Sequence, residues 1–277
     1  MYKTVSPIHI GHMTAFKDAA EVAAKVGFEG FWFHPWDMEI SVSETKELLA
    51  KTGLRAAGFG LPVAYWADQT AFDADFSKLE GYVRYAVDIG AERRCAIHVY
   101  PSSDTYTWQE NYEFHRTRLK KCSEVLKEYG IILGLEFVST PSMRRGVKYE
   151  FIHNLEQMLE LCEDIGTGNC GLLLDVWHWD MGGYTKADFK KFSGDQVALV
   201  HIDDAPEGIP IEEQIDNQRK LPGETGVLKI AEFFDGLKSI GYDGPVLAEP
   251  FEPKLSEMSY EKAFEIVMDS FNKVWID

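Results

Sequence analysis

The chain repeats one pattern to its end: a short run rich in Val, Ile, Leu and Phe, then a longer segment with helical spacing. Eight such runs read as strands, at residues 5–10, 30–34, 55–60, 94–99, 131–136, 171–175, 197–201 and 245–249. They are continuously apolar rather than alternating, as strands buried on both faces of a parallel sheet are. Between them, residues 14–26 set Ala15, Ala19, Val22, Ala23 and Val26 on one helical stripe. Residues 43–51, 75–89, 111–129, 151–165, 227–240 and 260–274 behave alike, and a weaker helical segment covers 186–192. Gly27, Gly90, Gly130, Gly166 and Gly241 follow helical segments where a left-handed residue ends a helix.

Eight strand–helix units in about 250 residues match the size of a closed (β/α)8 TIM barrel, an α/β fold. An open doubly wound sheet would carry a GxGxxG turn after its first strand. Here the nearest run, Gly58-Phe59-Gly60, ends the third strand and opens no helix. No linker or low-complexity segment interrupts the pattern, so residues 1–277 read as a single barrel domain.

Composition narrows the partners. With 28 Lys+Arg against 45 Asp+Glu, the formal net charge is −17, and no basic run exceeds two residues. Such a surface repels phosphate backbones and predicts no nucleic-acid partner. No apolar stretch approaches the ~20 residues of a membrane span, so no membrane association is expected. The start, MYKTVSPIHIGHM, lacks a basic segment followed by an apolar run, and Cys95, Cys122, Cys162 and Cys170 form no CxxC pair. Both point to a reducing, cytoplasmic setting.

The last four strands end alike. ILGL leads into Glu136, LLL into Asp175, ALV into His201 and VLA into Glu249. One acid at a strand end is ordinary. Four successive strands of one barrel ending Glu, Asp, His, Glu bring four side chains to one mouth. Three carboxylates that close repel one another, and a divalent cation resolves the repulsion. Three oxygen donors and one imidazole suit Mn²⁺, Co²⁺ or Mg²⁺ better than a thiolate-seeking ion. His178, three residues past Asp175, reads as a partner behind the ligands, as a substrate contact, or as packing between Trp177 and Trp179. Asp203 and Asp204 read as acceptors orienting the His201 imidazole or as solvated loop acids. Residues 203–226 form a long loop, a candidate lid.

The runs LGLEF, LLLDVWH, LVHIDDAP, LPGETG and GYDGPVLAEPF make the chain resemble the sugar phosphate isomerase/epimerase family, the xylose-isomerase-like TIM barrels. The likeness runs essentially the whole chain. That family includes ketose 3-epimerases, inosose isomerases and dehydratases, and a metal-dependent endonuclease branch. The endonuclease branch needs a three-metal site with more histidines, and the acidic charge argues against it. In the epimerase branch the resemblance implies that Glu136, Asp175, His201 and Glu249 hold one divalent ion, commonly Mn²⁺. It implies further that Glu136 and Glu249 are the catalytic acid/base pair and that His178 contacts substrate oxygens. The epimerases carry an arginine six residues after the metal histidine, where this chain has Glu207. Arg219, in QRKLPG, is a candidate to replace it, and Arg144 is another candidate for a substrate oxygen.

The implied chemistry is proton transfer beside a carbonyl through a metal-stabilised enediolate, giving a sugar isomerase or epimerase. The alternative on the same scaffold is a lyase, either an inosose-type dehydratase or an enzyme that cleaves 3-keto-glycosides by β-elimination. A non-catalytic barrel would carry a broken ligand set, and all four positions are intact. Trp32, His34, Trp36, Tyr65, Trp66, His98, Tyr100, Trp108, Trp177 and Trp179 fall at or just past strand ends, where aromatic faces can stack on sugars. His34 and His98 end strands two and four and are the substrate-contact candidates among them. No glycine-rich phosphate loop is present, so an unphosphorylated sugar, keto-glycoside or cyclitol is expected. Oligomeric state is open: a homo-oligomer and a small partner subunit both fit.

Overall fold

A computed structural model describes residues 1–276. The apolar runs form eight parallel strands: β1 (Tyr2–Val5), β2 (Gly30–Phe33), β3 (Arg55–Gly60), β4 (Arg94–Val99), β5 (Ile132–Phe137), β6 (Cys170–Asp175), β7 (Val197–Ile202) and β8 (Pro245–Ala248). Each pairs with the next, and β8 pairs with β1, closing a (β/α)8 barrel. Every residue of β7 is buried, as its unbroken apolar sequence requires.

The first strand lies earlier than the hydropathy suggests. Residues 2–5 pair with β2 and β8, whereas Pro7–Ile10 is a 3₁₀ turn. Pro7 has no N–H for the ladder, so the apolar PIHI run leaves the sheet and climbs onto the barrel mouth. Helices α1 (Phe16–Val26), α2 (Val42–Thr52), α3 (Gln69–Asp88), α4 (Trp108–Glu128) and α5 (Leu155–Ile165) return the chain along the outside. Their starts are set by caps. Asp68 accepts the Ala71 amide, Thr107 the Glu110 amide and Asn154 the Gln157 amide. Helices α3 and α4 therefore begin several residues before, and α5 after, the apolar stripes alone indicate. Gly27 (φ 110) and Gly166 (φ 73) close α1 and α5 in the left-handed conformation. The second half adds a short α6 (Val176–Met181), then α7 (Ile230–Ser239), α8 (Pro253–Ser256) and α9 (Tyr260–Val274). The weaker segment near 186 is the 3₁₀ helix Lys186–Lys191.

Two apolar layers result. A large one lies between strands and helices, and a small one, Tyr2, Trp32, Ala57, Ala96, Leu173, Leu199 and Leu247, fills the barrel interior. Trp32 fits because its neighbours are small. A Cβ on Gly58 would stand 2.5 Å from the Trp32 ring and 2.6 Å from the Arg94 carbonyl. This plug turns the barrel into a cup, with Trp32, Leu173 and Leu199 as the floor of the cavity above it.

The 203–226 loop is tied down at its foot. Asp204 and Lys220 exchange backbone hydrogen bonds of 2.8 Å. The Asp204 carboxylate accepts the amides of Ala205, Thr225, Gly226 and Leu228. Among the described residues, no helix is long and apolar enough to cross a membrane.

Candidate metal centre

Strand register sets the four ligand candidates at one level. Glu136 on β5 is level with His98 on β4, and Asp175, the last residue of β6, is level with His201 on β7. Glu249 follows β8 directly, its amide donating to the Ile202 carbonyl at 3.2 Å. Asp175 also caps α6, where its Oδ1 accepts the Trp177 amide at 2.8 Å, which fixes the carboxylate. One ligand atom from each of Glu136, Asp175, His201 and Glu249 lies within 4.8 Å of every other. His201 Nδ1 is 3.2 Å from Glu249 Oε2 and 3.7 Å from Glu136 Oε1.

The donors suit a divalent cation on this structure's own evidence. Glu136 Oε1 and His201 Nε2 are buried and have no hydrogen-bond partner among the described residues. Buried acceptors left bare are costly unless something cationic is to meet them. The electrostatics carry the same message. Burial, then Glu249 and Asp175, push the Glu136 carboxyl well above its ordinary range. Burial works against ionised Glu249 too, yet His201, His9 and Arg219 hold it well below.

Arg219 reaches the ligands from the long loop. Its Nη1 donates to Asp175 Oδ2 at 2.6 Å and to Asp203 Oδ2 at 2.5 Å, and it lies 3.5 Å from Glu249 Oε2. Nη2 donates to Asp216 Oδ1 at 3.2 Å. The guanidinium sits between the rings of Trp177 (5.0 Å) and Phe251 (4.9 Å). Arg219 is buried behind the carboxylates and is not part of the cavity wall. Asp203 Oδ2 accepts from Arg219 while its Oδ1 has no hydrogen-bond partner among the described residues, and Asp204 is spent on the loop backbone; neither carboxylate hydrogen-bonds the His201 imidazole.

His178 is also buried behind the ligands. Its Nδ1 accepts the Ser139 amide at 3.3 Å and its Nε2 lies 3.6 Å from Asp216. Arg144 lies outside the cavity wall, donating to the Ser139 carbonyl at 2.6 Å beside Glu150. His34 and His98 both line the cavity. Ser6 Oγ and His34 Nε2 share a hydrogen bond of 3.0 Å, and the His34 ring stacks on Trp36 at 4.7 Å. Burial lowers His34 to about 3 and also lowers His98, which favours the neutral imidazole in both.

Among the aromatics, Trp32, Trp36 and Trp66 line the cavity. Trp177 is wholly buried with Nε1 donating to Thr140, and Trp179 packs 4.3 Å from Phe189. Both lie on α6 in the apolar layer between the strands and the helices. Tyr65 donates from its hydroxyl to the His98 carbonyl at 2.9 Å, and Trp108 stacks on Tyr112 outside the cavity.

Sequence reasoning missed His9. Its Nε2 lies 3.6 Å from Glu249 Oε1 and its ring is 5.1 Å from His201. Burial lowers it to about 4. Extending the first strand to residue 10 hid it, and Pro7 was the available signal that the chain turns there.

Comparison with known proteins follows the same lines. The family model for the xylose isomerase-like TIM barrel matches residues 20–272. An inosose isomerase of Halalkalibacterium halodurans is 30% identical over 152 residues, 55% of this chain and 51% of that protein. An L-ribulose 3-epimerase of a Methylomonas species is 27% identical over 256 residues, 84% of this chain and 79% of that protein. The match spans about half the length of the inosose isomerases. A xylose isomerase domain protein from Alicyclobacillus acidocaldarius superposes with a TM-score of 0.88 at 25% identity, covering 99% of this chain and 98% of that one. The IOLI protein, solved with a bound zinc atom, shares the fold with a TM-score of 0.79 at 20% identity over 99% of this chain and 98% of that one. The chain belongs to the xylose isomerase-like TIM barrel family.

Proposed function

We propose that this protein is a divalent-metal-dependent isomerase or epimerase of an unphosphorylated sugar, keto-sugar or cyclitol. The observation that carries the reading is the convergence of Glu136, Asp175, His201 and Glu249 within 4.8 Å, with buried donor atoms left bare. The names of the relatives, an inosose isomerase and an L-ribulose 3-epimerase, support it, and so does the zinc in the IOLI protein. A divalent cation at these four residues, Mn²⁺ in this reading, supplies Lewis acidity toward a substrate carbonyl.

The chain's own residues do the rest. Glu136 and Glu249 enter from β5 and β8, with β6 and β7 between them, and flank a bound substrate. One takes a proton from the carbon beside the carbonyl, and the other returns it to the opposite face or the neighbouring carbon. The plug beneath, with Trp32, Leu173 and Leu199 as floor, excludes water from below. No Lys or Arg lines the cavity among the described residues, which favours a substrate without phosphate. The same first step on a substrate with a leaving group on the next carbon makes a lyase, and the room beside Trp36 favours keeping that second reading.

The test is solvent-deuterium incorporation into inosose and ketohexoses by Mn²⁺-loaded protein. Incorporation that is lost in Glu136→Gln and in Glu249→Gln supports the assignment. A new enone absorbance selects the lyase. Undiminished incorporation in both variants refutes the acid/base pair.

A further inference from the structure

The 3₁₀ turn that carries His9 is pinned to its surroundings. Pro7 and Ile10 are buried, and the His12 ring donates from Nε2 to the Leu255 carbonyl at 2.8 Å. Gly11 ends the turn at φ 84, so close to α8 that a Cβ there would stand 2.9 Å from the Ser256 Cβ. His9 is therefore held in place on the cavity wall, beside Glu249 and His201.

The two oxygens of Glu249 face different neighbours. Oε2 lies 3.2 Å from His201 Nδ1 and 3.5 Å from Arg219 Nη1. Oε1 lies 3.6 Å from His9 Nε2. One ligand atom from each of His9, His201 and Glu249 lies within 4.8 Å of every other, a second set that overlaps the first. Its nitrogens are unspent. The His201 side chain is only 3% exposed, yet neither ring nitrogen has a hydrogen-bond partner among the described residues, and His9 Nδ1 is bare as well. Buried polar atoms without partners are costly.

Charge points the same way. Once a dication holds Glu136, Asp175 and Glu249 ionised, these three with Asp203 and Asp216 bring five negative charges together. Arg219 and that ion supply three positive ones. Two negative charges stay unmatched, the charge of one further dication. Two imidazoles and one carboxylate are the protein donors of open zinc sites, and nitrogen donors favour Zn²⁺ over Mn²⁺.

We propose that His9, His201 and Glu249 Oε1 form a second cation position of zinc type beside the four-residue centre, and that an ion there inhibits the enzyme. The proposal rests on the isomerase reading above and adds its regulation. With Oε2 turned to the first ion, Oε1 is the oxygen Glu249 has left to carry a proton. A second ion takes that lone pair, and proton transfer at Glu249 stops. His9 belongs to the second position alone, so its removal separates the two.

The test is calorimetric titration of metal-free wild type, His9→Ala and His9→Gln, with Zn²⁺ alone and with Mn²⁺ alone. The wild type is expected to hold two Zn²⁺ per chain. Both variants keep the first Zn²⁺ and bind the second at least about tenfold more weakly. All three proteins hold one Mn²⁺, which reports an intact fold and four-residue centre. Deuterium incorporation into inosose is expected to fall when the second equivalent of Zn²⁺ is added to the wild type, and to stay level when it is added to His9→Ala. A single Zn²⁺ in the wild type, a second one held equally by both variants, loss of Mn²⁺ from both variants, or incorporation unmoved by the second equivalent overturns the proposal. Absence of incorporation at one equivalent of either ion rejects the isomerase reading and the inhibition with it, whereas a second Zn²⁺ that depends on His9 still establishes the position.

Discussion

Arg219 Nη1 and Asp175 Oδ2 share a hydrogen bond of 2.6 Å, and both side chains are buried. The pair brings a fixed positive charge to the back of the ligand set, where Asp203 and Asp216 also lean on it. Burial opposes charging Arg219, but Asp175, Asp203 and Asp216 more than offset this and hold its pKa up. The acids of the candidate metal site thus have a resident counter-ion on the side away from the cavity.

Removing it leaves buried carboxylates unpaired. Arg219→Met should cost about 3–5 kcal/mol in metal-free protein, the usual cost of breaking a buried ion pair from one side. Added Mn²⁺ should restore more stability to the variant than it adds to the wild type. Chemical denaturation with and without Mn²⁺ measures both. A wild-type midpoint without metal would show that Arg219 is not the counter-ion.

Asp204 should matter for the loop rather than for the metal. Its carboxylate accepts four backbone amides around residues 205 and 225–228. Asp204→Ala leaves those donors without an acceptor and should destabilise by about 3 kcal/mol or more. Amide hydrogen exchange at 225–228 should become fast while Mn²⁺ still binds. Slow exchange in the variant contradicts the anchoring role.

Asp37 supplies a pH dependence away from the metal. It is buried, and burial raises its carboxyl to about 6 from an ordinary 3.8, although the Phe16 and His34 amides donate to it. The folded state therefore binds this proton more tightly than the unfolded state. The associated stability is complete below pH about 4 and is lost as pH rises through about 6, in total about 3 kcal/mol. A carboxyl-carbon titration of Asp37 by NMR should show a midpoint near 6, and a midpoint near 4 removes the effect.

The fold and the four ligand candidates were legible for one reason. Buried parallel strands are uninterrupted apolar runs, and a charged residue ending such a run stands out against it. Glu136, Asp175, His201 and Glu249 are each visible this way. His9 is not, because Pro7 turns an apolar run out of the sheet, and hydropathy alone reads Ile8 and Ile10 as strand. Arg219 shows only as one basic residue in a long loop, since its place depends on where Asp204 pins that loop. His178 follows Trp177 in α6, and its polar edge faces Ser139 and Asp216 behind the ligands. Helix starts were hidden because apolar stripes mark faces, whereas Asp68, Thr107 and Asn154 set the ends.

The most direct measurement is Mn²⁺ binding to protein purified without chelator, followed by calorimetry and electron paramagnetic resonance, in the wild type and in His201→Ala and Asp175→Asn. The account predicts one Mn²⁺ per chain in the wild type and an affinity at least about tenfold weaker in each variant. Wild-type stoichiometry and affinity in both variants, or no Mn²⁺ binding by the wild type, would contradict it.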